Sequence, residues 1–319
     1  MKKRLVVVLA LVLVFTSVFF TACGDKKTEQ IIVGSGGSTG TYYGFCNVVA
    51  TTLNEKAGIS LMVQSSGASK ANILDIDDGI VQLAIVQNDV MNYAYEGSNG
   101  FSSQITSFSA IGCVYPEVCQ VIATKASGIK TVADLAGKRV SVGDAGSGVE
   151  FNAKQILAAY GIDMNADIEK QNLGFGPSAD ALRDEKIDAF FCVAGSPTTA
   201  ITDLAMGTEI VVLSVEDKEF DKLTEKYDFY TKQTIPAGTY AGVEADVQTV
   251  AVMATYIVDA DLDEETVYNI TKAIFEQKEA ITVAHTKGSE IDPAYAVDGI
   301  SVPFHPGAEK YYKEAGLIK

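Results

Sequence analysis

The sequence predicts an α/β protein made of two similarly built units, each an open, mostly parallel sheet flanked by helices. Three observations carry that expectation. Short apolar stretches alternate with stretches whose apolar residues recur at helical spacing, the βαβαβ order of an open sheet. Two of the short stretches, "VQLAIVQND" and "KIDAFFCVAGSP", are apolar on both faces, as strands inside a parallel sheet must be. The order also recurs at a nearly constant offset: Gly34 and Gly143 lie 109 positions apart, and Gln82 and Asp188 lie 106 apart. A domain-sized period points to two lobes rather than a short-repeat solenoid.

Taken in order, "QIIVGSGG" reads as a buried strand ending in a glycine turn, and Tyr42 to Lys56 follows as a helix. "ISLMVQSSGAS" is again strand then turn, Lys70 to Asp78 is a short helix, and "GIVQLAIVQND" closes the first unit. In the second unit "KRVSVGDAGSG" is strand and turn, and Val149 to Tyr160 is a helix. A further strand, turn, short helix and buried strand run through "EKQNLGFGPSADALRDEKIDAFFCVAGSP". Near the C-terminus "QTVAVMATYIVD" is a β-branched strand before an amphipathic helix, with Asp261 or Asp263 as its N-cap. Pro303 and Pro306 bracket a turn before a last helix, Ala308 to Ala315, closed by Gly316.

The start of the chain reads as an export leader. Lys2, Lys3 and Arg4 precede a sixteen-residue apolar run, Leu5 to Phe20, which is short for a membrane span of about twenty. Thr21-Ala22-Cys23 resembles a bacterial lipobox, so residues 1–22 are expected to be removed, Cys23 to carry lipid, and residues 23–30 to act as an anchored tether. Losing three basic residues and no acid takes the formal charge from −16 to −19. So acidic a surface disfavours nucleic acid and broad adhesion to anionic lipid. Four cysteines remain, Cys46, Cys113, Cys119 and Cys192, each in apolar company and read as free thiols. No CxxC or paired Cys/His spacing supports a metal site, and no cofactor is expected.

The stretch "GSGGSTGTYYG", residues 34–44, admits three chemistries. Gly36-Gly37-Ser38-Thr39-Gly40 matches G-x-S-x-G, the elbow of a serine hydrolase with Ser38 as nucleophile. An elbow, however, follows an oxyanion loop and several strands, and only the leader and tether precede this one. His285 and His305 are the only histidines, and His305 reads as a turn residue beside a helix start. The phosphate reading lacks the third glycine of G-x-G-x-x-G and any G-x-x-x-x-G-K-[ST]. A solute pocket is left: glycines admit a ligand close to backbone N–H groups, a helix start adds partial positive charge, and Ser35, Ser38, Thr39 and Thr41 add hydroxyls. Gly146-Ser147-Gly148 repeats the arrangement in the second unit. One such turn would be only a tight connection; two, each opening a helix, predict a cleft holding a small carboxylate without a basic side chain. Arg139 and Arg183 are assigned surface roles. Gln87, Asp89, Glu117 and Glu150 are acceptors for a ligand ammonium, though the three acids fit caps or solvated positions better.

"GSGGSTGTYYG", "QSSGASKANI", "VQLAIVQND", "YPE", "TVADLAGKRVSVGDAGSGVE", "KIDAFFCVAGSP", "IPAGTY" and "HPGAEKYYKEAG" together resemble the TAXI solute-binding proteins, the extracytoplasmic receptors of one branch of the TRAP transporters. The resemblance runs from residue 31 to the C-terminus. It implies a two-lobed, type II periplasmic-binding-protein fold closing by hinge motion, with lobe I over 31–117 plus about 240–319 and lobe II over 118 to about 239. It implies a monomer that captures a small carboxylate or amino acid, glutamate-like favoured, without catalysis, and delivers it to a sodium-driven permease. An importer driven by ATP is the alternative partner. On this resemblance Gly36, Ser38, Thr39 and Tyr42 line one wall. Ser66, Ser69, Gln87 and Tyr115 continue it, and Ser147, Gly148, Gly195 and Pro197 come from the other lobe. Whether Tyr42 or Tyr43 faces the cleft stays open. Ala68 stands where the family has glycine and Val149 where it has threonine, so a reshaped pocket is expected.

Overall fold

The computed structural model describes residues 30–319. The leader, Cys23 and nearly all of the tether lie outside the described residues. The first unit runs β1 (Ile31–Gly34), α1 (Thr41–Lys56), β2 (Leu61–Gln64), α2 (Ser69–Asp77), β3 (Leu83–Gln87) and α3 (Asn88–Glu96). A long strand, β4 (Phe108–Thr124), leads to the second unit: β5 (Arg139–Ser141), α4 (Gly148–Ala159), β6 (Glu169–Gln171), α5 (Phe175–Arg183), β7 (Ala189–Ala194) and α6 (Thr199–Ala205). Then follow β8 (Ile210–Leu213), α7 (Asp217–Thr224), β9 (Thr231–Ile235), β10 (Val247–Asp259), α8 (Glu264–Glu276), α9 (Lys278–Ala284), α10 (Pro293–Ala296) and α11 (Pro306–Glu314).

The strands form one mixed sheet of ten, ordered β2-β1-β3-β10-β4-β7-β5-β6, with β8 on β4 and β9 on β10. At one end β1 pairs in parallel with β2 and β3; at the other β5 pairs in parallel with β6 and β7. Each parallel wing meets one of the long strands β10 and β4, and these two pair antiparallel at the centre. The order is therefore nearly the same read from either edge, which is the repeat seen in the sequence. Both strands picked out as apolar on two faces, β3 and β7, are buried at every residue.

Core packing follows the wings. Phe45, Leu53, Ile85, Tyr115 and Tyr256 belong to a cluster around β1 and β3, while Val121, Val140, Ile156 and Phe191 belong to one around β5 and β7. Along β10 the change falls between Val252, in the second cluster, and Ala254, in the first. Asp263 caps α8, its side chain accepting from the Thr266 N–H, and His305 caps α11 by accepting from Gly307. The four cysteines are free and buried. Among the described residues no helix is long and apolar enough to cross a membrane.

Candidate functional site

The parallel wings place the starts of α1, α4 and α5 around one cleft, the usual ligand position in open α/β sheets. The loop after β1 is pinned by Ser35, which is buried and donates through Oγ to the Gln64 carbonyl at 2.6 Å. Helix α1 starts at Thr41 with Gly40 as N-cap and no side chain capping it, so its first N–H groups are left to the cleft. Across the cleft Ser147 caps α4, its Oγ accepting from the Glu150 N–H at 3.3 Å. The Phe175 ring at the start of α5 lies 3.4 Å from where a Cβ on Gly40 would stand. The closest approach joins Gln87, at the end of β3, to Gly148: a Cβ on Gly148 would fall 1.6 Å from Gln87 Oε1, so any larger residue there displaces the Gln87 side chain.

These contacts enclose an inner cavity of about 40 Å³ and a neighbouring outer cleft of about 200 Å³. Gly37, Ala68, Val149 and Phe175 border both. The inner cavity is further lined by Gly36, Thr41, Tyr42, Ser69, Gln87, Glu117 and Gly148, and the outer cleft by Ser38, Thr39, Ser66, Asp144 and Ser147. Among the described residues no lysine or arginine lines either space. The inner volume is enough for roughly three waters.

The inner cavity is polar on the side of the first wing. The Tyr42 hydroxyl donates to Glu117 Oε2, so of the two adjacent tyrosines Tyr42 is the one directed inward. Glu117 is only 2% exposed, and burial raises its carboxyl to about 8, opposed in part by the Tyr42 hydrogen bond. The same burial, together with the facing carboxylate, raises the Tyr42 hydroxyl well above its ordinary range. Ser69 Oγ accepts from the Gln87 N–H at 3.1 Å. Gln87 Oε1 is buried and has no hydrogen-bond partner. Ala68, which precedes α2, has φ 65° and ψ −147°, a glycine conformation held by a residue with a Cβ.

The two wings also bond directly beside the cavity. Thr41 Oγ1 donates to the Gly195 carbonyl at 3.0 Å. Farther along, Asn152 Nδ2 on α4 donates to Asp89 Oδ2 on α3 at 2.9 Å, and Gln155 Nε2 donates to the Tyr93 hydroxyl at 2.9 Å. Asp89 is buried, which raises its carboxyl to about 7.

Nine of the twelve residues singled out in the sequence thus border the two spaces. Gly36, Tyr42, Ser69, Gln87 and Gly148 line the inner one; Ser38, Thr39, Ser66 and Ser147 line the outer one. Tyr115 is fully buried, with its hydroxyl unpartnered and its ring edge-on to Phe45 at 5.0 Å. Gly195 lies behind the cavity wall against Thr41 and Lys287, and Pro197 is exposed on the turn after it.

The expectation for Glu117 as a cap or solvated acid is corrected, since it is buried in the cavity wall. Asp89 is not solvated either, although it does accept from the Val90 N–H at the start of its own helix. Glu150, expected as a cap or solvated acid, sits in the first turn of α4 and bonds to the Gly146 N–H, Lys170 and Asn172. Arg139 and Arg183 pair with Asp188 and Asp180. Sequence reasoning missed Phe175, although "GFGPS" opens a helix as the other two loops do. It also missed Lys287, whose Nζ pairs with Glu290 at 2.6 Å and lies 5.8 Å from the centre of the Tyr115 ring. No local pattern marks that lysine.

Among the described residues neither histidine lines the cleft that holds Ser38. His305 has both ring nitrogens engaged, Nδ1 with the Gly307 N–H and Nε2 with the Leu262 carbonyl. His285 accepts from the Lys287 N–H and packs edge-on to Phe45.

Comparison with known proteins agrees with this architecture. The chain belongs to the NMT1-like family, whose model matches residues 33–316. The periplasmic aliphatic sulphonate binding protein SsuA from Escherichia coli is similar in structure, at 15% identity and a TM-score of 0.52, over 89% of this chain and 83% of that one. The alkanesulfonate-binding protein SsuA from Xanthomonas axonopodis pv. citri, bound to MOPS, matches at 14% identity and 0.53, over 89% and 83%. A putative L-cystine ABC transporter protein from Listeria monocytogenes matches at 14% identity and 0.52, over 82% and 98%. At these identities the likeness is one of fold: an α/β protein with a mixed sheet flanked by helices, of the periplasmic-binding-protein kind.

Proposed function

We propose that this protein is an extracytoplasmic receptor that captures a small carboxylate or amino acid, glutamate-like favoured, between two lobes and hands it to a membrane permease without altering it. The observation that carries the reading is the cavity where the starts of α1 and α4 meet, a mostly apolar space into which Tyr42, Ser69, Gln87 and Glu117 set a few polar groups. Helix N-termini and Gly-Ser loops supply backbone donors suited to an anionic group. Lobe I comprises 31–117 and the C-terminal part, and lobe II begins at 118. Lobe II ends at about 239 and lobe I resumes at about 240; the packing of β10 with the second core cluster at Val252 and with the first at Ala254 supports the reading of β4 and β10 as hinge strands. Export with removal of residues 1–22, a lipid on Cys23 and a monomeric state complete the proposal.

The permease we favour is the sodium-driven type of the TAXI branch, on the ordered motifs from "GSGGSTGTYYG" to "HPGAEKYYKEAG". A second reading keeps the receptor and couples it to an ATP-driven importer, as the name of the Listeria monocytogenes protein suggests. Uptake into proteoliposomes holding the cognate permease separates the two. A sodium gradient alone suffices in the first case, and internal ATP is required in the second. A thermal-shift screen tests the receptor itself: solute at 100 times its Kd should stabilise by about 2.7 kcal/mol.

A further inference from the structure

We infer that the inner cavity is a subsite for a cationic nitrogen, with Glu117 as its counter-ion, so that the solute enters amine first and keeps its acidic group in the outer cleft. The inference rests on the receptor reading above and narrows its ligand class. The inner wall offers acceptors in excess. Glu117 is a buried carboxyl whose Oε2 accepts from the Tyr42 hydroxyl, leaving further lone pairs on the cavity wall beside Gln87. Gln87 Oε1, 2% exposed, has no donor at all. Each buried acceptor without a partner is costly, and a buried carboxylate without a counter-ion more so. Lys287, whose charge reaches Glu117, is already paired with Glu290 and lines neither space. Burial keeps a proton on Glu117 in the solute-free protein; an ammonium displaces that proton and supplies both donors and the charge that lets Glu117 ionise, which a bare carboxylate does not.

The outer cleft has the complementary character. It lies at the starts of α4 and α5, where Ser38 and Thr39 add hydroxyls and no basic side chain intervenes. The Ser66 hydroxyl is engaged with Ser35, Asn72 and Ala68, and that of Ser147 with the Glu150 N–H. Asp144 also borders this cleft, so an acidic group there must be held by hydroxyl and backbone N–H donors that offset that like charge.

Calorimetry on the mature protein with matched probes tests this: L-glutamate against glutarate, and L-alanine against propionate. The amine-bearing member of a pair should bind at least 100-fold tighter. Glu117→Gln should weaken that member at least 30-fold and leave the amine-free one unchanged; Gln87→Leu gives the same direction should Glu117→Gln fold poorly. An amine-free member that binds as tightly as its partner overturns the inference and leaves the receptor standing, as does a co-purified solute without a basic nitrogen. Failure of every probe in a protein that carries no solute counts against the receptor reading itself.

Discussion

Replacing Ala68 with glycine separates the stability of this fold from its binding site. Ala68 has φ 65° and ψ −147°, a region that side chains avoid, and its methyl borders both the inner cavity and the outer cleft. Backbone strain of this kind costs about 1–3 kcal/mol. Against its relief stand the extra freedom of glycine in the unfolded chain, about 0.4–1 kcal/mol, and the loss of a half-buried methyl, about 0.4 kcal/mol. Central values leave the variant more stable by about 1 kcal/mol, or roughly 2 °C in midpoint for a chain of this size. The same change removes the methyl from the cavity wall and loosens the approach of Ala68 to Gly36, so solute affinity should fall. Urea unfolding with m held constant, together with calorimetry, reads both. A variant less stable than the parent by 1 kcal/mol or more would refute the assignment of strain.

Three further outcomes follow from named contacts. Asp89 and Glu117, held at about 7 and about 8 by burial, keep protons that the unfolded chain has lost above its ordinary values near 4. The native state therefore binds more protons between about pH 4 and 8, and stability must fall across that window, by up to about 1.4 kcal/mol per pH unit for each group. The solute-free urea midpoint should be higher at pH 5.5 than at pH 8, with a flatter slope in Asp89→Asn, and a midpoint rising with pH would contradict the burial of these groups. Gly148→Val drives a side chain into Gln87, against a Cβ position only 1.6 Å from its Oε1, and should cut solute binding at least 100-fold in a protein that still folds; unchanged binding would place the site elsewhere. The thiols of Cys46, Cys113, Cys119 and Cys192, all buried and raised by desolvation, should resist a thiol reagent in the native protein and react fully in urea.

What the sequence made legible was local. Strands β3 and β7 announce themselves because a strand buried on both faces needs an unbroken apolar run, and the Gly-Ser turns because a backbone that approaches a facing side chain has no room for Cβ. The central pair β4 and β10 was only half seen. Pro116 interrupts the pattern of β4, and its pairing with Met253 spans more than a hundred residues. Glu117 follows from that pairing. As one acid in "YPE" it reads as a surface residue, and only the packing of β4 under α1 buries it against Tyr42. Lys287 shows the same limit, reaching Gly195 and Tyr115 through tertiary folding alone. Ser38 borders the outer cleft rather than the inner cavity, because the loop after β1 turns its Ser35 inward and its Ser38 out, and Ser66, in the loop after β2, is held there by its bonds to Ser35 and Asn72.

The most direct test is native mass spectrometry of the mature protein, purified without unfolding, beside Gly148→Val prepared in the same way. A receptor that closes on its solute between α1 and α4 should carry one small-molecule adduct per chain, absent from the folded variant. Equal occupancy of the two proteins, or an adduct untouched by the substitution, would contradict a binding site in this cleft.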